Sequence, residues 1–366
     1  MVMLHDKVEK ENIHMHLYTN PAQGYLPDDI VYRGMEFFDQ AEAAVKDDPE
    51  MLERVRVARM PLTYARMFPR NGYEIVNGRV VYQGELASFA EVSGFVERMK
   101  KHGFKNIREF YSSGPEDLLQ IRALLALNPE IISISNEHLS VDIVPLLAGR
   151  ALRITDVKSG ECVTAYNIKR SLFFPFCGGL ESRVGEQFRW YGWIEPANVV
   201  ERTDESITLA LKTLNGFALQ RTLTLVPDKP IIRVSSVLTN PNDKPREARL
   251  RSHIELDLGE LPSTKVSFTN LAQQNIEKDM TDIIAGLREG EYYRSRNTPL
   301  KSWSFKGTKG LQLVQRFDND QIDYTWLYAY PEELGELEVE LWRKPELLAP
   351  GQSLNLDYEI EIRSIR

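Results

Sequence analysis

The feature that most limits how this chain can fold is a change of periodicity at Asn128 and Pro129. From IISISNEHLSVDIVP onward, short segments of alternating apolar and polar residues follow one another, separated by the turn signals KSGE, NPNDKP, FDND and APGQ. ITLALKTL, ALQRTLTLV, PIIRVSSVLT, LQLVQRF and LNLDYEIEIRSI are examples, and helical periodicity is nearly absent over residues 129–366. Strands at hairpin spacing over that length predict one large antiparallel sandwich, because all-β domains of about 200–250 residues occur as single units.

Residues 1–128 read differently. Residues 28–45 place Val31, Met35, Phe38, Ala41 and Val45 at helical spacing after Pro27, with acidic residues in the first turn. Residues 49–68 open on Pro49 and carry Pro61, which should kink a helix there. Residues 85–104 end on Gly103 after Lys100, Lys101 and His102, and a fourth helix is expected from Gly114. The fold class is therefore α+β and multidomain: a helical domain over 1–128, then a large antiparallel β-sandwich over 129–366.

Composition narrows the function. With 45 basic and 53 acidic residues the chain carries a formal charge of −8, which argues against nucleic acid as a partner. No apolar run approaches the roughly 20 residues of a membrane span, and the charged start does not read as a signal peptide. If residue 1 is the natural start, the expected location is cytoplasmic. Cys162 and Cys177 form no CxxC pair, so neither a disulfide framework nor a zinc site is expected. His14 and His16 would share a strand face, but two ligands are too few for a metal, and no metal or cofactor is expected. GxSxG, P-loop and strand-linked GxGxxG motifs are absent.

Three stretches are candidates for chemistry. In RLRSHIELDLG, residues 249–259, the strand period puts Leu250, Ser252, Ile254, Leu256 and Leu258 on one face and Arg249, Arg251, His253, Glu255 and Asp257 on the other. A histidine beside carboxylates suits a general acid or base. The same pattern also suits an antiparallel sheet with one solvated face. Residues 174–196 gather Trp190, Tyr191 and Trp193 with Arg183, Arg189, Glu181 and Glu195, as carbohydrate recognition requires; tryptophans also plug the ends of sandwiches. Gly178 and Gly179 mark a place where the backbone turns tightly or is closely approached. Residues 328–342 supply Glu332, Glu333, Glu336, Glu338 and Glu340 as carboxylate partners for His253.

In order, NEHLSVDIVPLLAGRALRITDVKSGEC, FCGGLESRVGE, LQRTLTLVPDKPIIRVSSVLTNPNDKPREARLRSHIEL and ELLAPGQSLNLDYEIEI resemble the galactose mutarotase-like, or aldose 1-epimerase-like, supersandwich over most of residues 130–364. That resemblance implies a sugar on the concave face of the sheet, His253 as general acid, and Glu332 or Glu340 as general base. Here HIEL follows the histidine, where epimerases tend to have proline or an aromatic. Arg251, Glu255, Arg183, Trp190 and Trp193 are the expected substrate-binding residues. The front segment HLYTNPAQGYLPDDIVYRGMEFFDQAEAAV, with ERVRVARMPLTYARM, resembles the helical region of α-glucuronidase-related glycoside-hydrolase-like proteins. It implies a portion or relative of a polysaccharide-degrading glycoside hydrolase, partnered by a catalytic barrel or a second copy of the chain. The alternatives are a working epimerase and a structural domain that packs on a catalytic barrel or a partner subunit.

Overall fold

The computed structural model describes residues 2–11, 26–67, 73–84, 87–104, 128–166, 178–186, 189–193, 195–281, 290–330 and 336–365. The described residues of 1–74 and 81–128 fall in one compact unit, and those of 75–80, 129–168 and 177–366 in another.

The first unit is built on helices α1 (Val2–Lys10), α2 (Asp28–Ala44), α3 (Pro49–Met67) and α4 (Phe89–Lys101). Pro27 sits at the N-cap of α2, and Asp28 and Asp29 face the positive end of its dipole. Arg59 of α3 ties to Asp39 at 2.6 Å and Glu42 at 2.9 Å on α2, and Pro61 is accommodated inside α3. The helix α4 starts later than the sequence suggests, because Ser88 and Glu91 close a capping box, and it buries Val92, Phe95, Val96 and Met99. The helix expected from Gly114 and the pair His14 and His16 lie outside the described residues. A hairpin of β1 (Tyr73–Val76) and β2 (Arg79–Tyr82) interrupts the helical region. Its turn is Asn77-Gly78, with φ of 50° and 70°, a two-residue signal that matches strand twist.

The second unit is the sandwich. Its strands are β3 (Ile132–Ser135), β4 (Leu139–Val144), β5 (Arg150–Asp156), β6 (Gly179–Glu186), β7 (Arg189–Tyr191), β8 (Asn198–Arg202), β9 (Ser206–Lys212), β10 (Ala218–Leu225) and β11 (Ile231–Thr239). There follow β12 (Arg246–Ala248), β13 (Leu250–Leu256), β14 (Lys265–Thr269), β15 (Asn275–Asp279), β16 (Glu291–Arg294), β17 (Ser302–Lys306) and β18 (Leu311–Phe317). The last four are β19 (Ile322–Tyr330), β20 (Glu336–Arg343), β21 (Glu346–Leu348) and β22 (Ser353–Ser364). One nine-stranded sheet runs β15-β14-β17-β18-β22-β11-β10-β9-β8, and the other runs β16-β19-β20-β13-β6-β5-β4-β3 with β7 beside β6. The turns expected at KSGE, NPNDKP, FDND and APGQ all lie between strands.

Period-two alternation builds the core. Ile232, Val234 and Leu238 of β11, Leu219 and Leu223 of β10, and Leu250, Ile254 and Leu256 of β13 point inward and join one buried cluster with Trp303 and Phe305. Polar groups also enter it: Ser182 Oγ and Ser236 Oγ meet at 2.8 Å. Arg221 shares the inward face of β10, and burial pushes its guanidinium down to about 10. Among the described residues its Nη2 reaches only the Ala148 carbonyl, at 3.4 Å. A buried, poorly compensated charge opposes folding, so Arg221→Met is expected to raise stability by about 1 kcal/mol or more, read as a higher urea midpoint.

Candidate functional site

In the β13 strand all seven residues are buried, on both faces. The outward row Arg251, His253 and Glu255 is 1%, 1% and 4% exposed, so it is not the solvated face that alternation alone permits. Cross-strand register explains why. Arg251 lies between Arg183 of β6 and Trp342 of β20, His253 between Glu181 and Glu340, and Glu255 between Gly179 and Glu338. Like-for-like rows at strand spacing of about 4.8 Å thus put four carboxyl groups among three guanidiniums, the third being Arg150 of β5.

The pairs are specific. Glu181 accepts from Arg150 Nη2 and Arg183 Nε, and its Oε1 lies 3.6 Å from His253 Nδ1. His253 Nε2 donates to Glu338 and stands 3.8 Å from Glu340 Oε1. Glu340 Oε1 is 2.7 Å from Arg251 Nη1, and Oε2 accepts from Trp342 Nε1 at 2.6 Å. Arg150 also donates to the Gly178 carbonyl at 2.7 Å. That carbonyl is held by a backbone only glycine suits: Gly178 and Gly179 have φ of 80° and 83°, and a Cβ on Gly178 would fall 1.7 Å from the Ala165 carbonyl oxygen.

Burial raises the carboxyls of Glu181, Glu338 and Glu340, and the neighbours decide the outcome. Arg150, Arg183 and His253 overcome it at Glu181, whose pKa is lowered. At Glu338 it is overcome by His253, then Arg183 and Arg251, which hold the group at about 2. At Glu340 burial wins: despite Arg251 and His253, its pKa is raised, with the neighbouring Glu338 charge adding to the shift. Two carboxyls two residues apart on one strand are thereby driven in opposite directions.

On the same face the aromatic residues form a ladder. Tyr292 and Arg294 of β16 pair with Trp326 and Tyr324 of β19, which pair in turn with Glu340 and Trp342. Tyr292 stacks on Trp326 (centroids 5.6 Å, 16°) and Tyr324 on Trp342 (5.1 Å, 21°), while Trp326 meets Tyr328 at 5.7 Å. Arg249, Arg251 and Arg294 lie over these rings, Arg251 at 4.7 Å from Trp342. The ladder opens outward: Tyr292 is 40% exposed and Trp326 half-buried, whereas Trp342 is fully enclosed. Trp326 Nε1 is buried without an acceptor among the described residues.

The expected residues distribute unevenly. His253, Glu340, Arg251, Glu255 and Arg183 converge on this face, joined by Glu338. Glu332 and the Trp190 side chain lie outside the described residues. Trp193 is buried; its N–H and those of Gly192 and Leu214 donate to Glu195, which ties that turn together. The aromatic ladder was not anticipated, although IDYTWLYAY places an aromatic at every second residue and so on one strand face.

Among the described residues, His253, Glu338 and Glu340 bring ligand atoms within 4.8 Å of one another, a spacing a metal could use. Arg251 already lies on Glu340 and the His253 donor on Glu338, so a dication would have to displace both, and no metal is assigned. The outward face of the other sheet carries a groove of about 840 Å³ lined by Thr222, Arg233, Ser235, Arg316, Asp357 and Glu359. Arg233 pairs there with Glu359 at 2.9 Å and Ser235 with Asp357 at 2.6 Å, and Phe317 and Tyr358, which also line it, are buried side chains. Among the described residues no helix is long and apolar enough to cross a membrane.

The strand-rich unit is a two-sheet antiparallel β-sandwich, and solved structures that include galactose mutarotase-like proteins are similar to this chain. A galactose mutarotase related enzyme from Lactobacillus acidophilus is similar at a TM-score of 0.48 and 12% identity, over 64% of this chain and 98% of that one. The GalM/aldose epimerase homologue from C. elegans gives 0.48 and 12%, over 65% of this chain and 100% of that one. A TPR-domain containing protein from Parabacteroides distasonis gives 0.51 and 16%, over 65% of this chain and 47% of that one. At these identities the likeness is one of fold. No family model and no curated protein matches the chain.

Proposed function

We propose that the outward face of the β16-to-β5 sheet binds carbohydrate. The observation that supports this is the continuity of one surface, in which an aromatic ladder opening to solvent at Tyr292 runs into the buried His253, Glu338 and Glu340 cluster. Ring faces suit the apolar C–H side of a sugar, and the half-buried Trp326 stands between Tyr292 and Glu340 on that surface. The helical front, with its sequence resemblance to α-glucuronidase-related proteins, supports a chain that is a portion or relative of a glycoside hydrolase working beside a catalytic barrel.

Saturation-transfer NMR of the whole chain against neutral hexoses, uronic acids and their oligosaccharides is the test. Trp326→Ala should weaken binding by about 0.5–1.5 kcal/mol, roughly 2- to 13-fold. Binding that ignores Trp326, or no binding across the panel, sinks the reading. A second reading, interconversion of sugar anomers, is favoured by the opposed shifts of Glu338 and Glu340 around His253.

A further inference from the structure

Arg294 stands apart from the other arginines of this face. Arg249 pairs with Asp323, Arg251 with Glu340, and Arg183 and Arg150 with Glu181. Arg294 is exposed on the edge strand β16, and among the described residues it makes no ion pair. It is nonetheless held in place. Its Cζ lies 4.4 Å from the Tyr324 ring centroid and 4.8 Å from that of Tyr292, so two aromatic faces flank the guanidinium.

A stacked guanidinium has lost part of its freedom before any ligand arrives, and its planar fork matches a carboxylate by two parallel N–H···O bonds. Position sets the size of the ligand. Arg294 belongs to the first strand of the sheet and His253 to the fourth, in the order β16-β19-β20-β13. Three strand steps of about 4.8 Å and an offset of two residues along the strand separate them by roughly 16 Å, with Tyr324 and Trp342 on the row of Arg294 and Trp326 and Glu340 on the row of His253. A single sugar ring touching the ladder near His253 leaves Arg294 unused, whereas a chain of rings crossing the strands engages both.

We infer that the ligand is an acidic oligosaccharide lying across β16, β19, β20 and β13, and that Arg294 binds the carboxylate of a uronate residue at its outer end. This rests on the carbohydrate-binding reading above. Tyr292 and Trp326 carry the ring faces between the two ends, and Arg294 sets the preference for charge.

The test is calorimetric titration of the whole chain with short oligomers of galacturonate, mannuronate and glucuronate, each beside its methyl ester, and with the free monomers. A charge-assisted hydrogen-bonded pair contributes about 1.5–3 kcal/mol, so the preferred acid should bind about 10- to 150-fold tighter than its ester. The acid oligomer should also bind tighter than its monomer. Arg294→Ala should bring the acid down to the ester's affinity, and Arg294→Lys, which keeps the charge and loses the fork, should recover only part. Equal binding of acid and ester, or an Arg294→Ala chain that binds the acid like wild type, overturns the inference. If those results come with Trp326-dependent binding of neutral oligomers, the carbohydrate reading stands without it. Absence of binding to every acid, ester and neutral sugar removes both.

Discussion

Glu181→Ala should cost about 3–5 kcal/mol of stability, the penalty for leaving buried cationic charge without its counter-ion. Glu181 is fully enclosed and takes donors from both Arg150 and Arg183. With it gone, Arg150 keeps the Gly178 carbonyl, a neutral dipole in place of an ion. Urea unfolding measures the loss as a fall in midpoint at unchanged slope. Glu181→Gln retains the shape and one acceptor and should fall between alanine and wild type. The double change Glu181→Leu with Arg150→Met removes charge of both signs, and should recover much of what the single change loses. A Glu181→Ala chain within about 1 kcal/mol of wild type would mean that water reaches the cluster. The pH dependence has a definite sign. A carboxyl whose folded pKa is lowered stabilises the fold above its ordinary value of 4.5, and that contribution is lost as pH falls through the folded value. Glu338, held at about 2, behaves the same way, so wild type should lose stability progressively between about pH 4.5 and 2. Glu181→Gln should show a shallower decline.

The sandwich was legible because β-strand alternation is a local property. PIIRVSSVLT and LQLVQRF carry their burial pattern in consecutive residues, and strands β11 and β18 bury the residues that pattern selects. The convergence of Arg251, His253, Glu255 and Arg183 was legible for the same reason, once adjacent strands were granted. What covers a face is not local. Whether the outward row of β13 is wet or enclosed depends on register with β6 and β20, whose sequence positions are far away, and so its burial could not be read from RLRSHIELDLG. Glu338 was one of five glutamates in a charged run, and only its register opposite Glu255 and its contact with His253 distinguish it. The aromatic ladder was half visible: Tyr324, Trp326 and Tyr328 share parity in one segment, but Tyr292 and Trp342 join them only through strand pairing. In the helical region the Asn77-Gly78 hairpin was overlooked because flanking helical periodicity outweighed a short two-residue turn signal.

The second large effect is expected at His253. On the anomer-interconversion reading, His253→Gln should slow exchange by about 10²- to 10⁴-fold while sugar affinity changes little, because the platform of Tyr292 and Trp326 is untouched. Two-dimensional exchange NMR measures the rate and saturation transfer the binding in the same sample. The glutamates then assign the base. Glu338 is ionised across the working range, but its proton affinity is low and it is engaged by His253, so its part is to hold the imidazole. Glu340 has the raised pKa, so it binds a proton more readily and is the better proton acceptor at neutral pH. Glu340→Gln should therefore slow exchange as much as His253→Gln, while Glu338→Gln, which leaves both proton-transfer groups in place, should slow it by a smaller factor. Wild-type exchange should rise with pH through the raised Glu340 value, because only the ionised form accepts a proton, and that rising limb should vanish in Glu340→Gln. Exchange that survives in both His253→Gln and Glu340→Gln would leave this face as a binding surface alone. The buried charges would then serve to fix the strands that carry the ladder.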